Sequence, residues 1–211
     1  MSAEISILPE LQGGYRVAYL AAQLLELTAN QAIESEYQAN HDNLTGALNR
    51  NGLEKYLDSA VAPKALLWID STNFKAVNDK YGHNFGDKVL IDTLAVLQNG
   101  VRPKDVIARW GGDEWVVVLN GEDQSQTSDN FVDNKRRNQI HTQHIEPVKV
   151  RIAQQMQIYL AGHPELIEIN FNLAVGGTEW PGNMKIKELI EQVDNDMYAQ
   201  KTRQHENGQY R

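Results

Sequence analysis

The chain has 211 residues, of which 41% are hydrophobic and 23% charged. This composition is typical of a globular protein, long enough for one domain with an appendage, and it excludes a disordered tail. Its 28 acidic and 20 basic residues give a formal charge of -8, which argues against a general nucleic-acid binder. The lack of cysteine excludes disulfides, thiolate catalysis and Cys-ligated zinc. No apolar stretch approaches the length of a membrane span, and the first residues lack signal-peptide features, so we expect a cytoplasmic protein.

The first predicted element is a helix over residues 14–40, where Val17, Leu20, Leu24 and Leu27 recur at spacings of three and four. This apolar stripe is short, and two interpretations stay open. The helix either packs on its own domain or pairs with a helix of a partner. We therefore divide the chain into an N-terminal helical segment, 1–41, and a main domain, 42–211.

A turn-rich stretch over 42–50 is predicted to lead into a second helix at 52–60. The continuous apolar run 65–69 then predicts a strand buried on both faces. This strand ends at Asp70, a position where open α/β sheets usually keep their chemistry. After it the pattern predicts a helix over 74–80, a loop over 81–86 and a helix over 87–97.

The run Arg-Trp-Gly-Gly-Asp-Glu-Trp at 109–115 lies between two short apolar stretches, 106–108 and 116–119. Two strands joined by a tight turn have this pattern. Asp113 and Glu114 would then stand at the tip, within reach of hard divalent cations and phosphates. By itself the motif fits a solvated acidic hairpin equally well.

The rest of the chain is predicted to contain a long polar surface loop over 121–143, a helix over 148–160, a strand over 167–175 and a last helix over 185–201. Because strands and helices alternate while the hairpin requires an antiparallel pair, we expect an α/β (α+β) fold with a mixed central β-sheet flanked by helices.

Taken together, these blocks resemble the GGDEF-domain diguanylate cyclases. The matching residues are 42–50, 69–70, 74–75, 78–79, 81–83, 86–87, 109–115, 196–198 and 201. The resemblance implies a nucleotide-cyclase, polymerase-palm-like domain that condenses two GTP into cyclic di-GMP and releases pyrophosphate. A P-loop nucleotidase is not supported, because the sequence has no phosphate loop of the Gly-Lys-Ser/Thr kind.

Nucleotidyl transfer needs positive charge around the triphosphate, which acidic side chains can supply only by recruiting metal ions. By resemblance, the Mg²⁺ (or Mn²⁺) ligands are Asp70, Glu114 and the Ser71 carbonyl. Asp113 is placed beside them as a catalytic residue that either ligates metal or helps to deprotonate the 3'-hydroxyl.

The resemblance also implies a guanine between Asn78 and Asp87, since a carboxylate can accept from both N1-H and N2-H of guanine. A role for Asp87 as a helix N-cap is the competing account. The remaining residues expected to bind substrate are Asn73, Phe74, Lys75, Gly111, Gly112 and Lys201.

Arg102 and Asp105 reproduce the family's Arg-x-x-Asp pattern before the hairpin, which implies inhibition by the product. Four positions depart from the family: Thr72 replaces a common aspartate, Trp115 a phenylalanine, Ala174 a serine and His205 an arginine, for which Arg203 could substitute. Thr72 and His205 keep a second function open, a GTP or cyclic di-GMP sensor without activity.

Because one domain would hold one GTP, catalysis is expected to need a homodimer. We expect the signal to come from an upstream sensory domain or a partner.

Overall fold

A computed structural model describes residues 13–59, 63–121 and 134–180, together with Glu188. It divides into two compact units, Met1–Asn40 and His41–Arg211. The first unit contains helix α1, Gly13–Asn40, as the sequence predicts. Its apolar stripe is exposed, with values of 69% for Val17, 55% for Leu20 and 63% for Leu24.

The second unit is built on a sheet whose described strands are β1 (Pro63–Thr72), β2 (Val106–Arg109), β3 (Glu114–Asn120) and β4 (Asn172–Glu179). Their order is β2-β3-β1-β4, and all three pairings are antiparallel. An isolated parallel bridge joins Leu48 to Ala108. Strand β1 is central, which explains its uninterrupted apolar sequence.

Five helices accompany the sheet among the described residues: α2 (Arg50–Ser59), α3 (Phe74–Tyr81), α4 (His83–Gly100), α5 (Asn134–Ala161) and α6 (Pro164–Glu168). Successive side chains of a strand point to opposite faces of the sheet, and residues from the helices pack against both faces. Leu67 and Ile69 of β1 pack in one core with Leu94 of α4 and Ile152 of α5. On the other face, Trp68 packs in a core that contains Leu53 of α2, together with the partly buried residues Tyr56 and Leu57, and Leu66, Val116 and Val118. The α/β (α+β) architecture of a central sheet flanked by helices is therefore confirmed. The described strands pair only antiparallel, however, so the expected mixture of strand directions is confined to the Leu48–Ala108 bridge.

The predicted loop over 81–86 is wrong, because α3 and α4 are separated only by Gly82. That residue has φ of 84°, a conformation that glycine adopts without the steric cost of a side chain. The predicted polar loop over 121–143 is also partly wrong, since α5 already begins at Asn134 and continues through Pro147.

The predicted strand over 167–175 begins too early. Ile167, Ile169 and Phe171 alternate with polar residues as in a strand, but Pro164 starts a short helix, as proline often does at the first helical position. Asn170 then takes φ of 53°, and β4 begins only at Asn172. The predicted last helix, 185–201, lies outside the described residues except for Glu188.

Trp115 is wholly buried under the hairpin, as its aromatic character predicts. Within the described part of the chain its indole Nε1 has no hydrogen-bond partner. An unsatisfied buried donor costs about 1 to 3 kcal/mol, so this departure from phenylalanine carries an energetic cost.

Candidate functional site

Two carboxylates meet at the end of the central strand. Asp70, near the end of β1, is directly opposite Glu114, the first residue of β3. Residues directly opposite each other in an antiparallel pair project to the same face, with Cβ atoms about 4.5 to 5.5 Å apart. The sheet register thus brings together two acids that are far apart in sequence.

Ser71 connects this strand end to the hairpin. Its backbone N–H and its hydroxyl both donate to the carbonyl oxygen of Asp113, at 3.2 Å each. The Ser71 residue is 4% exposed. Asp113 therefore lies next to β1 through its main chain, immediately before Glu114.

Two backbone hydrogen bonds close the Gly-Gly turn. The backbone N–H groups of Trp110 and Gly111 donate to the carbonyl of Glu114, at 2.8 and 3.4 Å. A Cβ atom added to Gly111 would lie 2.5 Å from Glu114 Oε2, whereas one added to Gly112 would meet nothing within 4 Å. Gly111 therefore allows the Glu114 carboxylate to fold back over the turn.

Arg109 fixes the turn to the stretch that precedes α2. Its Nε and Nη2 donate to the Gly112 carbonyl at 3.0 and 2.6 Å, and its Nη1 lies 2.9 Å from Asp42 Oδ1. Burial acts to raise the pKa of Asp42, but hydrogen bonds from Thr45 and Arg109 outweigh it and lower the pKa below its usual 3.8. Asp42 therefore stays charged and keeps the turn anchored.

Helix α3 begins beside the acid pair. Its N-cap residue, Asn73, has φ of 60° and ψ of 19°, and its side chain makes no capping hydrogen bond to the helix. Phe74 is partly buried against the core, while Lys75 is exposed in the first turn. The start of α3 is thus a short distance along the chain from Asp70 and Ser71.

Asn78 and Asp87 are brought together by the tight α3–α4 junction. A Cβ atom on Gly86 would overlap Oδ1 of Asn78, so the Asn78 carboxamide lies directly against Gly86, the neighbour of Asp87. The N-cap interpretation of Asp87 is wrong, because α4 begins four residues earlier at His83.

The Arg102–Asp105 turn precedes β2. Asp105 Oδ2 accepts the Arg102 backbone N–H at 2.9 Å, and Oδ1 accepts that of Asn120 at 3.0 Å. The turn borders a cavity of about 390 Å³, whose lining residues are His41, Gly46, Ala47, Leu48, Leu94, Gln98, Val101, Arg102, Pro103, Asp105 and Ile107. Arg102 is exposed, so its guanidinium is accessible from solvent.

Sequence reasoning missed the packing of Arg50 and Trp68 against Trp110, next to the Gly-Gly turn. The Arg50 guanidinium stacks 4.4 Å from the ring centroid of Trp110, and Trp110 meets Trp68 edge to face at 5.7 Å. An open depression of about 510 Å³ adjoins them, lined by Asp42, Asn49, Arg50, Asn51, Arg109, Trp110, Gly111 and Gly112. In the sequence, only the aromatic residue before the two glycines, Trp110, indicated that the turn has a stacking partner.

Among the described residues, no group of three or more His, Cys, Asp or Glu side chains is arranged to hold a metal ion. A cation at the strand end would therefore use two carboxylates and main-chain or ligand oxygens, a donor set that suits Mg²⁺. Lys201, Arg203 and His205 lie outside the described residues. No helix in the described ranges is long and apolar enough to cross a membrane.

Comparison with solved structures identifies the class of fold. The chain is similar to the coiled coil and GGDEF domain of DgcB from Caulobacter crescentus, a structure in complex with c-di-GMP. The TM-score is 0.65 and the identity 19%, with 90% of this chain and 94% of that chain covered. The fold is therefore that of a GGDEF domain.

Sequence comparison then gives the family. The family described as diguanylate cyclase, GGDEF domain, matches residues 39–207. Diguanylate cyclase DgcM of Escherichia coli (strain K12) is 31% identical over 189 residues, which is 83% of this chain and 40% of that protein. Diguanylate cyclase DgcS of Shewanella oneidensis is 29% identical over 182 residues, covering 83% of this chain and 54% of that protein. The chain belongs to the GGDEF-domain diguanylate cyclase family, and it spans about half the length of these relatives or less.

Proposed function

We propose that this chain condenses two GTP molecules into cyclic di-GMP and releases one pyrophosphate for each bond formed. The observation that carries the proposal is the register that sets Asp70 directly opposite Glu114. Like charges directly opposite each other repel, and a cation shared by the two carboxylates would be attracted to both. The donor pair therefore supports a divalent cation at this position.

We propose Asp70, Glu114 and the Ser71 carbonyl as the ligands of Mg²⁺ or Mn²⁺. The Ser71 N–H donates to the Asp113 carbonyl and therefore points towards the hairpin. Because the N–H and C=O of one residue in an extended strand point to the same side, the Ser71 carbonyl also faces the hairpin, which supports its role as a ligand. Bound there, the cation would supply positive charge to the triphosphate and the leaving pyrophosphate. Asp113 is proposed to act beside Glu114, on the 3'-hydroxyl or as a further ligand.

Asn78 and Asp87 are proposed to bind the guanine base. Their support is the short α3–α4 junction, where Gly86 gives room for the Asn78 carboxamide next to Asp87. Adenine lacks the paired N–H donors that would satisfy the Asp87 carboxylate. Asp87 is exposed, and hydrogen bonds from guanine to its charged carboxylate would contribute about 1.5 to 3 kcal/mol each, enough to favour GTP over ATP.

The phosphates are proposed to meet the start of α3 and the hairpin turn. Unsatisfied N–H groups at a helix start favour anions, and the exposed Lys75 adds a positive charge. Main-chain groups of Asn73, Phe74, Gly111 and Gly112 complete this proposed set. Lys201 stays a proposal from the sequence alone.

Two copies of the chain are proposed to join for catalysis, since each domain would hold one GTP and the reaction links two. The exposed Val17, Leu20 and Leu24 of α1 offer an apolar stripe for pairing with a second copy. Because the relatives are longer than this chain, we also propose an upstream sensory domain or partner as the source of the signal. GTP as substrate agrees with the expected cytoplasmic location.

Arg102 and Asp105 are proposed to bind the product and inhibit the enzyme. Arginine can pair with O6 and N7 of guanine, and Arg102 is exposed beside a cavity of about 390 Å³.

The alternative is a sensor that binds GTP or cyclic di-GMP without turnover. It is favoured by Thr72, whose hydroxyl donates to the Asn172 carbonyl at 3.1 Å where many family members supply a carboxylate.

Incubation of the pure protein with GTP and Mg²⁺, at several protein concentrations, separates the two functions. We expect pyrophosphate release whose rate per chain rises with protein concentration, and its loss on chelation of the metal or in Glu114→Gln. Glu146→Gln, which removes the same charge from α5, is the matched control. Binding of GTP or cyclic di-GMP without any pyrophosphate would establish the sensor instead.

A further inference from the structure

Asn73 has an unusual arrangement for a residue at a helix start. An asparagine in the N-cap position normally accepts hydrogen bonds from the first N–H groups of its helix. Here the carboxamide does not cap α3. Instead, Nδ2 donates to the carbonyl oxygens of Ile169 and Asn170, at 3.1 and 3.0 Å.

Both partners of the Asn73 carboxamide are carbonyl oxygens, which only accept hydrogen bonds, so the NH₂ group and not Oδ1 must face them. They lie just beyond the C-terminus of α6, a place where helices leave carbonyls without intrahelical partners. The two N–H donors of one carboxamide thus connect the start of α3 to the α6–β4 connection.

The backbone of Asn73 imposes a second requirement. Its φ of 60° lies in the left-handed region, which asparagine, aspartate and glycine tolerate better than other residues. Glycine would satisfy this conformation but could not donate, and aspartate would satisfy it but offers only acceptors. Asparagine alone among the three meets both requirements.

The far end of α3 has its own attachment to α6. The Tyr81 hydroxyl lies 3.3 Å from the Glu165 carbonyl and from Glu168 Oε2, and Lys80 Nζ lies 2.8 Å from Glu168 Oε1. Loss of the Asn73 contacts would therefore loosen the start of α3, where packing of Phe74 remains, while the end that carries Asn78 stays attached.

We propose that Asn73 is a positioning residue for the triphosphate: its carboxamide anchors the start of α3 to the α6–β4 connection and leaves the first amides of α3 to the phosphates. This inference rests on the proposed function, because it concerns how the same GTP is held. The Asn73 side chain thus anchors the helix, whereas the Asn73 main chain is proposed to contact the phosphates.

The test compares Asn73→Asp with Asn73→Gly in the full chain. Both keep the backbone conformation and lose the anchor. The aspartate, however, places a negative charge at the positive end of the helix dipole, so its melting temperature should equal or exceed that of the glycine variant. Its carboxylate would also repel the phosphates at this helix end, so its KM for GTP should exceed that of the glycine variant and be about tenfold above wild type or more.

A merely structural role would move stability and KM together, whereas this one moves them in opposite directions. Tyr81→Phe, which removes bonds at the far end of the same helix, should change KM by less than about twofold and is the control. Asn73→Gly loses the anchor without adding charge, so its KM should also rise; a wild-type KM in Asn73→Gly, or equal KM values for Asn73→Asp and Asn73→Gly, would overturn the role of Asn73. Failure of the wild type to bind GTP would overturn the proposed function itself, and this inference with it.

Discussion

Arg109 and Asp42, which are 67 residues apart, form an ion pair of 2.9 Å. The same guanidinium donates through Nε and Nη2 to the Gly112 carbonyl, so one side chain ties the Gly-Gly turn to the stretch before α2. The ion pair therefore contributes to both the stability of the domain and the shape of the turn.

This ion pair predicts a particular dependence of stability on pH. The pKa of Asp42 is lower in the folded chain than its usual 3.8. Its stabilising contribution is therefore fully present above about pH 4 and is lost as the pH falls through the folded pKa. We expect Asp42→Asn to lower the free energy of unfolding at pH 7 by about 1 kcal/mol, allowing for partial exposure.

Urea unfolding of wild type and Asp42→Asn at pH 7, 5, 4 and 3 would measure this contribution. The difference between the two proteins should shrink below pH 4. Asp58→Asn, on the exposed side of α2, controls for the loss of one negative charge. A difference that stays constant or grows on acidification would contradict the assignment.

Gly111→Ala should reduce activity strongly. Its Cβ would lie 2.5 Å from Glu114 Oε2 and force the carboxylate away, and a misplacement of about 1 Å near reacting groups can cost about 100-fold in rate. We expect the rate of pyrophosphate release to fall at least about tenfold, with little change in melting temperature because the turn is only partly buried. Gly112→Ala, whose Cβ meets nothing within 4 Å, should lose less, and equal losses would argue against a steric cause.

Gly86→Ala should weaken binding of the guanine base, because the new methyl group would overlap Asn78 Oδ1. We expect KM for GTP to rise about tenfold, as for loss of one good hydrogen bond. Asn78→Ala should have a similar effect. In a double-mutant cycle the two changes should not add, because Asn78→Ala already removes the carboxamide that the Gly86 methyl would displace; additive effects on KM would show that Gly86 acts independently of Asn78.

Arg102→Ala should abolish inhibition by cyclic di-GMP without disturbing the fold. The Arg102 backbone N–H, not its guanidinium, donates to Asp105, so the turn survives the substitution. Turnover would be measured with increasing product, and Lys104→Ala would control for the loss of a neighbouring positive charge. Asp105→Ala is a poorer test, since the Asp105 carboxylate accepts the backbone N–H groups of Arg102 and Asn120 and its removal would also disturb the turn. Unchanged inhibition of Arg102→Ala would exclude this site.

Local patterns were sufficient to predict most elements of the fold. The apolar run of β1, the two short apolar stretches around the Gly-Gly turn and the periodic leucines of α4 each have one favoured local structure. The pattern misled where two structures share it, as at Ile167 and Ile169, which alternate like a strand although Pro164 had already begun a helix. It also could not reveal that one glycine, Gly82, is enough to separate two helices.

The sequence by itself determined the hairpin, the acidic residues on it and the carboxylate at the end of the buried strand, because strand propensity, glycine and charge are local properties. Only the tertiary structure decided which groups meet. The pairing of Asp70 with Glu114 follows from strand register, and the contact of Arg109 with Asp42 and that of Asn73 with Ile169 and Asn170 follow from packing. Register and packing depend on burying both faces of the sheet at once, a condition that no single segment of the chain contains.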